Sequence, residues 1–221
     1  MKTVFTVTSV INIPNNISGR SVFDTETRFQ QTLKTIKSIR EYSPNSKIFL
    51  YEISDITKEQ QKIINDLVDS LTLMNEDNEI IANRFYYNKS APESLLLHKM
   101  WQDPKIKEFD FIMKMTGRYE ITKEFNTEHF IENNLDKVIT KKRFTNGNDY
   151  WFGTQLFCFG KKLLPRMVEH TLNCFNFLIN LKGYTDIEHI IFSGLNEEQV
   201  IEVETIGCKG FIAPLGELRY F

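Results

Sequence analysis

Three features of this 221-residue chain predict an α/β fold, with a mixed, mostly parallel central sheet flanked by helices. Strand-like and helix-like hydrophobic periods alternate through the first half in the order β-α-β-α-β-α-β. The segment that closes this half, residues 109–115, is apolar enough to lie in the middle of such a sheet. A composition that is 41% hydrophobic, with 18 Phe, supplies enough apolar surface for one large core.

Residues 4–11 alternate apolar and polar side chains and read as the first strand. A helix over 28–42 carries Phe29, Leu33, Ile36 and Ile39 on one stripe, and a second strand covers 47–53 after the Pro44-Asn45 turn. Thr57 and Gln60 have the spacing of a capping box, and Ile64, Leu67, Val68 and Leu71 give the helix that follows its buried face. A short strand at 71–74 comes next. Ser90 and Glu93 repeat the capping-box spacing, with Pro92 in the first turn, and open a helix through Leu95, Leu96 and Trp101.

Beyond residue 120 the pattern is mixed. It predicts a short helix near 127–133, strands at 137–140 and 150–159, and a long helix at 163–181. A shorter helix at 186–195 and strand-like stretches at 200–205 and 210–213 complete the chain. With no repeat, low-complexity run or linker in view, one domain over 1–221 is expected.

Charge and composition narrow the function. Lys and Arg number 27 against 29 Asp and Glu, so there is no overall basic field and no nucleic-acid partner is expected. No apolar run approaches the roughly 20 residues that cross a bilayer, so no integral membrane segment is expected. Cys158, Cys174 and Cys208 are odd in number and lack zinc-site spacing, as expected of reduced thiols in a cytoplasmic protein. The basic run 137–143 reads as a solvated face. His98, His129 and His170 share no spacing and read as structural.

Neither the G-x-G-x-x-G fingerprint nor the P-loop is present. Instead the first strand runs into a polar loop at 12–24, long enough to be either functional or an ordinary surface excursion. The most informative stretch is Phe109-Asp110-Phe111-Ile112-Met113-Lys114-Met115-Thr116-Gly117-Arg118-Tyr119. A buried strand here delivers Thr116, Gly117 and Arg118 to the edge of the sheet where α/β folds bind ligands. Glycine permits a close backbone approach, and the guanidinium fork matches phosphate oxygens. A plain strand-to-turn with a solvent-facing Arg118 fits the same residues.

The chain resembles the GT-A class of nucleotide-sugar glycosyltransferases, and in particular small glycosyltransferases of viral and bacterial genomes. Four short motifs carry the resemblance, in order: Arg28-Phe29 at a helix start; Asn88-Lys89 with Glu93; Lys114-Met115-Thr116-Gly117-Arg118-Tyr119; and Ile187-Glu188-His189. It spans nearly the whole chain, including the tail from Gly207 to Pro214.

The resemblance implies transfer of a sugar from a nucleotide-diphosphate sugar to a glycan or other hydroxyl acceptor, with a nucleotide-binding part at about 1–120 and an acceptor part at about 121–221. It places Thr8, Ser9, Glu52 and Asp77 near the nucleotide, and Lys89, Lys114, Thr116, Gly117 and Arg118 near the diphosphate. Glu188 falls where such enzymes keep a catalytic base, with His189 beside it. Trp151, Thr154 and Gln155 fall on the acceptor side, where an aromatic ring suits the apolar face of a sugar. One departure from the family matters. Many GT-A enzymes hold a divalent metal with Asp-x-Asp at the strand end that here reads Thr116-Gly117-Arg118. No metal cofactor is therefore expected, Arg118 taking over neutralisation of the leaving group. A non-catalytic nucleotide-sugar or glycan-binding module of the same fold is the alternative. A sugar-phosphate nucleotidylyltransferase ranks lower, because Asn15-Asn16-Ile17-Ser18-Gly19-Arg20 matches its Gly-rich loop poorly.

Overall fold

The computed structural model describes residues 1–13, 21–84, 86–126, 130, 134–147, 149–212 and 215–221. Most of the loop at 12–24, the helix expected at 127–133 apart from Phe130, His129, and residues 213–214 of the tail lie outside the described residues.

The first half builds β1 (Thr3–Ser9), α1 (Thr25–Tyr42), β2 (Lys47–Glu52), α2 (Lys58–Asn65), β3 (Ser70–Leu73), α3 (Asn78–Asn83), α4 (Ser90–Trp101) and β4 (Phe111–Thr116). Local chemistry sets the boundaries. The Asp24 carboxylate accepts the Thr27 N–H at 2.7 Å and starts α1 at Thr25, four residues before Phe29 opens the apolar stripe. The Thr57–Gln60 capping box forms and starts α2. The Ser90–Glu93 box does not form. Asn88 caps α4 instead, its side chain accepting the Ser90 N–H at 3.0 Å, because the Glu93 carboxylate is drawn inward to Lys114.

The second half adds β5 (Tyr119–Ile121), β6 (Val138–Lys141), β7 (Phe144–Asn146), β8 (Asp149–Trp151), β9 (Leu156–Gly160), α5 (Leu164–Asn180), α6 (Ile187–Ile190), β10 (Val200–Val203), β11 (Cys208–Ile212) and β12 (Glu217–Tyr220). The strand expected at 150–159 is broken in two. The Phe152 N–H donates to the Glu188 carbonyl and the Thr154 carbonyl accepts from Lys114, so this backbone leaves the ladder between β8 and β9. The helix expected at 186–195 is one turn long, tightening after Ile190 where the Ser193 N–H bonds the Ile190 carbonyl.

Among the described residues seven strands form one sheet in the order β10-β6-β9-β4-β1-β2-β3. β1 pairs in parallel with β2 and β4, β2 with β3, and β6 with β10, while β9 runs antiparallel to β4 and β6. Strands of the two halves thus lie side by side and meet at the antiparallel β4–β9 pair. Side chains alternate between two cores. Val4, Tyr51, Ile112, Phe157 and Phe159 face α4 and α5, while Phe5, Leu50, Met113 and Cys158 face α1 and α2. β5, β11 and β12 form a small antiparallel sheet beside α1, and β7 and β8 form a ribbon. The basic run at 137–143 is matched by β10: Arg143 pairs with Glu202 and Lys142 with Glu204.

Trp101 ends α4 with no exposed surface and meets Phe159 and Phe157 edge-on, at 5.0 and 6.1 Å between ring centres. Trp101→Ala is expected to cost about 3–5 kcal/mol, the usual range for emptying a large aromatic site in a core. A lowered urea midpoint checks it, and an unchanged midpoint would contradict this packing.

Candidate active site

Parallel strands gather their C-terminal ends on one edge, and there a cavity of about 460 Å³ opens. Thr8 and Ser9 from β1 and Thr116, Gly117 and Arg118 from the end of β4 form its floor; Lys89, Ser90 and Glu93, at and before the start of α4, and Asp186 and Glu188 line it as well. Two hydrogen bonds hold the 185–187 segment to the start of α4. Asn88 donates to the Thr185 carbonyl at 3.1 Å, and the Ile187 N–H donates to the Ser90 hydroxyl at 2.9 Å.

The ends of β1 and β4 meet at Gly117. Its N–H donates to the Thr8 carbonyl at 2.8 Å, and the Thr32 hydroxyl of α1 donates to its carbonyl at 3.1 Å. A Cβ here would lie 3.1 Å from the Thr8 carbonyl oxygen. The close approach that glycine permits is therefore made to β1.

This packing brings Arg28 to the cavity. It is 3% exposed, and its Nε donates to the Val10 carbonyl and one terminal nitrogen to the Ser21 hydroxyl. Burial pushes its guanidinium down to about 9, with the positive charge of Arg118 adding to the effect and Glu52 opposing it, so it stays charged at neutral pH. Arg118 lines the same cavity, and among the described residues its buried Nε has no hydrogen-bond partner. Two neighbouring guanidiniums lining one cavity offer the planar donor forks that match the oxygens of a phosphate or carboxylate.

On the other side, Glu188 accepts the Thr154 hydroxyl at 3.0 Å. Burial raises this carboxyl to about 7, and the nearby carboxylates of Glu93 and Asp186 push the same way. Below Thr154 lies Lys114, with no exposed side-chain surface. Its ammonium donates to Glu93 at 2.8 Å, to the Thr116 hydroxyl at 2.9 Å and to the Thr154 carbonyl at 2.6 Å.

A second hollow of about 350 Å³ adjoins the first and shares Gln155, Asp186, Glu188 and Ile212 with it. Trp151 and His189 line it. Trp151 stacks on Phe144 at 5.9 Å between ring centres, and His189 reaches Asp149 at 3.4 Å. Phe152 is 6% exposed and packs mainly into the core against Phe192.

Of the expected site residues, Thr8, Ser9, Lys89, Thr116, Gly117, Arg118, Thr154, Gln155 and Glu188 line one cavity, and Trp151 and His189 line the hollow beside it. Three expected residues lie elsewhere. Glu52 is fully buried beneath the sheet edge, accepting the backbone N–H groups of Ile11 and Ser54 and the Ser54 hydroxyl, so it ties the ends of β1 and β2 together. Asp77 caps α3 and pairs with Lys99 at 3.2 Å. Lys114 spends its ammonium on protein partners and is off the cavity wall. Sequence reasoning missed Arg28 and Glu93 as site residues. Both stand in the short motifs, Arg28-Phe29 and Asn88-Lys89 with Glu93, that mark helix starts next to strand ends.

No protein-family model and no curated protein matches the chain. Solved structures do. The glycosyltransferase GlyE of Streptococcus pneumoniae TIGR4 is similar at TM-score 0.51 and 13% identity, over 92% of this chain and 45% of that one. Its apo form gives TM-score 0.54 and 13% identity, over 91% and 45%. The chain has a GT-A-like fold. It spans less than half the length of GlyE. A glycosyltransferase involved in glycosylation of the major capsid of PBCV-1 is also similar, at TM-score 0.47 and 11% identity, over 90% and 81%.

In many proteins of GT-A-like fold a metal sits where β4 ends, but the donor set here does not fit one. Thr116, Gly117 and Arg118 stand at that place with Arg28 beside them. The nearest acids are engaged, Glu93 by Lys114, Glu188 by Thr154 and Asp186 by the Tyr184 hydroxyl at 2.8 Å. Among the described residues, no group of three or more His, Cys, Asp or Glu is placed to hold a metal ion.

A carboxyl whose proton is held more tightly when folded stabilises the native state most at low pH. For Glu188 that contribution is complete below about pH 4.5, the ordinary glutamate value, and is lost as pH rises through about 7. Wild type is therefore expected to lose up to about 3 kcal/mol more stability than Glu188→Gln between pH 4.5 and 8. Urea unfolding of both proteins at the two pH values measures the difference, and parallel losses would refute it.

Proposed function

We propose that this chain is a glycosyltransferase that moves a sugar from a nucleotide-diphosphate sugar to a hydroxyl acceptor without a divalent metal. The observation that carries this reading is one cavity, in a GT-A-like fold, with two adjacent guanidiniums and a carboxyl poised near neutral pH on its walls. The diphosphate lies against Arg28 and Arg118, with Lys89 adding charge and with Thr8, Ser9, Thr116 and Gly117 forming the floor beneath the donor. The acceptor enters from the neighbouring hollow, where Trp151 offers an aromatic face and Gln155 and His189 offer polar contacts. The wall shared by the two hollows carries Glu188.

In the reaction Glu188 takes the proton of the acceptor hydroxyl as its oxygen bonds to the anomeric carbon. The bond from that carbon to the diphosphate oxygen breaks, and the two guanidiniums meet the charge that develops there. One base opposite one stabilised leaving group suits a single displacement with inversion. Three buried, unbridged cysteines fit a reducing compartment, and we place the protein in the cytoplasm on that basis. Among the described residues no helix is long and apolar enough to cross a membrane.

Three measurements test the reading. Titration with UDP and GDP is expected to show binding that Arg118→Met weakens by about tenfold or more, the worth of a charge-assisted hydrogen bond. Glu188→Gln is expected to lower kcat by about 10²–10⁴, and the wild-type kcat/KM to rise with pH through about 7 as the base loses its proton. Turnover is expected to persist in EDTA. Full activity in Glu188→Gln, or loss in EDTA restored by Mn²⁺, would overturn the assignment.

A further inference from the structure

Lys114 is the most tightly held charged group near the cavity, and the mechanism above gives it no task. It stands on a central strand with no exposed surface, lies 6.0 Å from the centre of the Phe157 ring, and touches no ligand space. All three of its donors are used. One goes to Glu93 on α4, one to Thr116 on its own strand and one to the carbonyl of Thr154, between β8 and β9. Thr154 is also the residue whose hydroxyl holds Glu188, and the adjoining backbone is fixed by the Phe152 N–H on the Glu188 carbonyl. A single peptide therefore links the buried ammonium to the carboxylate on the cavity wall.

We propose that Lys114, Glu93 and Thr154 form a positioning relay: Lys114 fixes Thr154 and neutralises Glu93, and through both it sets the place and the electrostatic surroundings of Glu188. The inference rests on the reading of Glu188 as the base. Lys114 is a positioning residue in this scheme and touches neither substrate. Charged and titratable groups line both hollows with Glu188: Arg28 of α1, Arg84 after α3, Tyr119 of β5, Tyr184 before α6 and Arg219 of β12 stand there beside those that follow. Glu93 and Lys89 face the cavity at the start of α4, and Arg118 follows β4 with Lys114 behind it. Asp186, bonded to Tyr184, precedes α6, and His189, reaching Asp149 of β8, is part of it. Of these, Glu93 and Asp186 are the anions that hold the Glu188 proton on. Only Glu93 carries a cation directly on its carboxylate within the relay. Removing the Glu93 charge leaves Lys114 unopposed, which favours ionised Glu188; removing the Lys114 charge leaves Glu93 unopposed, which favours its protonated form.

The test is a titration of the Glu188 side chain by carbon-13 NMR on glutamate-labelled protein, its signal identified by its loss in Glu188→Gln. Glu93→Gln is expected to move the midpoint down by about one pH unit and Lys114→Met to move it up by about as much. The acid limb of kcat/KM is expected to move with each. Glu93→Gln keeps an amide oxygen that accepts from Lys114, so it stands as the test if Lys114→Met does not fold. An unmoved Glu188 midpoint in Glu93→Gln overturns the relay. Unaltered turnover in Glu188→Gln overturns the base assignment itself, while the NMR midpoints, which need no catalysis, still judge the contacts separately.

Discussion

A buried ammonium is tolerated only where its N–H groups meet oxygen, and Lys114 imposes that condition on three parts of the chain together. Its partners come from α4, from β4 itself and from the connection between β8 and β9, so the first and second halves of the sequence must be brought into register before the charge is satisfied. Leaving one such ion unpaired in the interior costs several kcal/mol, more than most single contacts contribute. The same condition explains two local departures from pattern. Glu93 abandons the capping box it could complete with Ser90, and the strand that would run unbroken from 150 to 159 parts at Thr154 to present a carbonyl inward.

Around this anchor the motifs converge. Asn88 caps α4 and holds Thr185, Glu93 meets Lys114, Thr116 and Gly117 end β4 against β1, and Glu188 hangs from Thr154. Arg28 arrives from the first turn of α1, which Thr32 pins to the carbonyl of Gly117. Residues more than 150 positions apart thus reach one cavity because the parallel strands place their C-terminal ends on one edge.

Much of this architecture is legible in the sequence wherever a residue's partner is nearby or its pattern is long. The stripe of Phe29, Leu33, Ile36 and Ile39 forms the buried face of α1, and the Thr57–Gln60 box caps α2. The apolar run ending in Thr116-Gly117-Arg118 is a central strand delivering its end to a cavity. What is not legible depends on distant partners. β5 has three residues and is a strand only because Tyr119, Glu120 and Ile121 pair with Gly210, Lys209 and Cys208 of β11, and β7 and β8 are equally short. Lys114 alternates along its strand like a ligand-facing lysine, and only the tertiary position of Glu93 and Thr154 shows the ammonium to be consumed. Arg28 looks like a surface charge in a helix start until the Val10 carbonyl and the Ser21 hydroxyl are seen to accept from it. Glu52 and Asp77 follow strand ends as site residues do, yet each satisfies backbone N–H groups of its own neighbourhood.

The two guanidiniums and the carboxylate also constrain one another. On the proposed function, a nucleoside diphosphate entering the cavity would bring negative charge toward Glu188, whose proton is already held tightly by burial, Glu93 and Asp186. Uncompensated, that charge would lift the carboxyl further and keep it protonated at the pH where a base is needed. Arg28 and Arg118, already in the cavity, would offset part of that charge, so the net charge brought before Glu188 would be smaller than without them. On that reading the pair that meets the leaving group also limits the rise at the base, and both guanidiniums reach the cavity where β1 and β4 approach each other at Gly117.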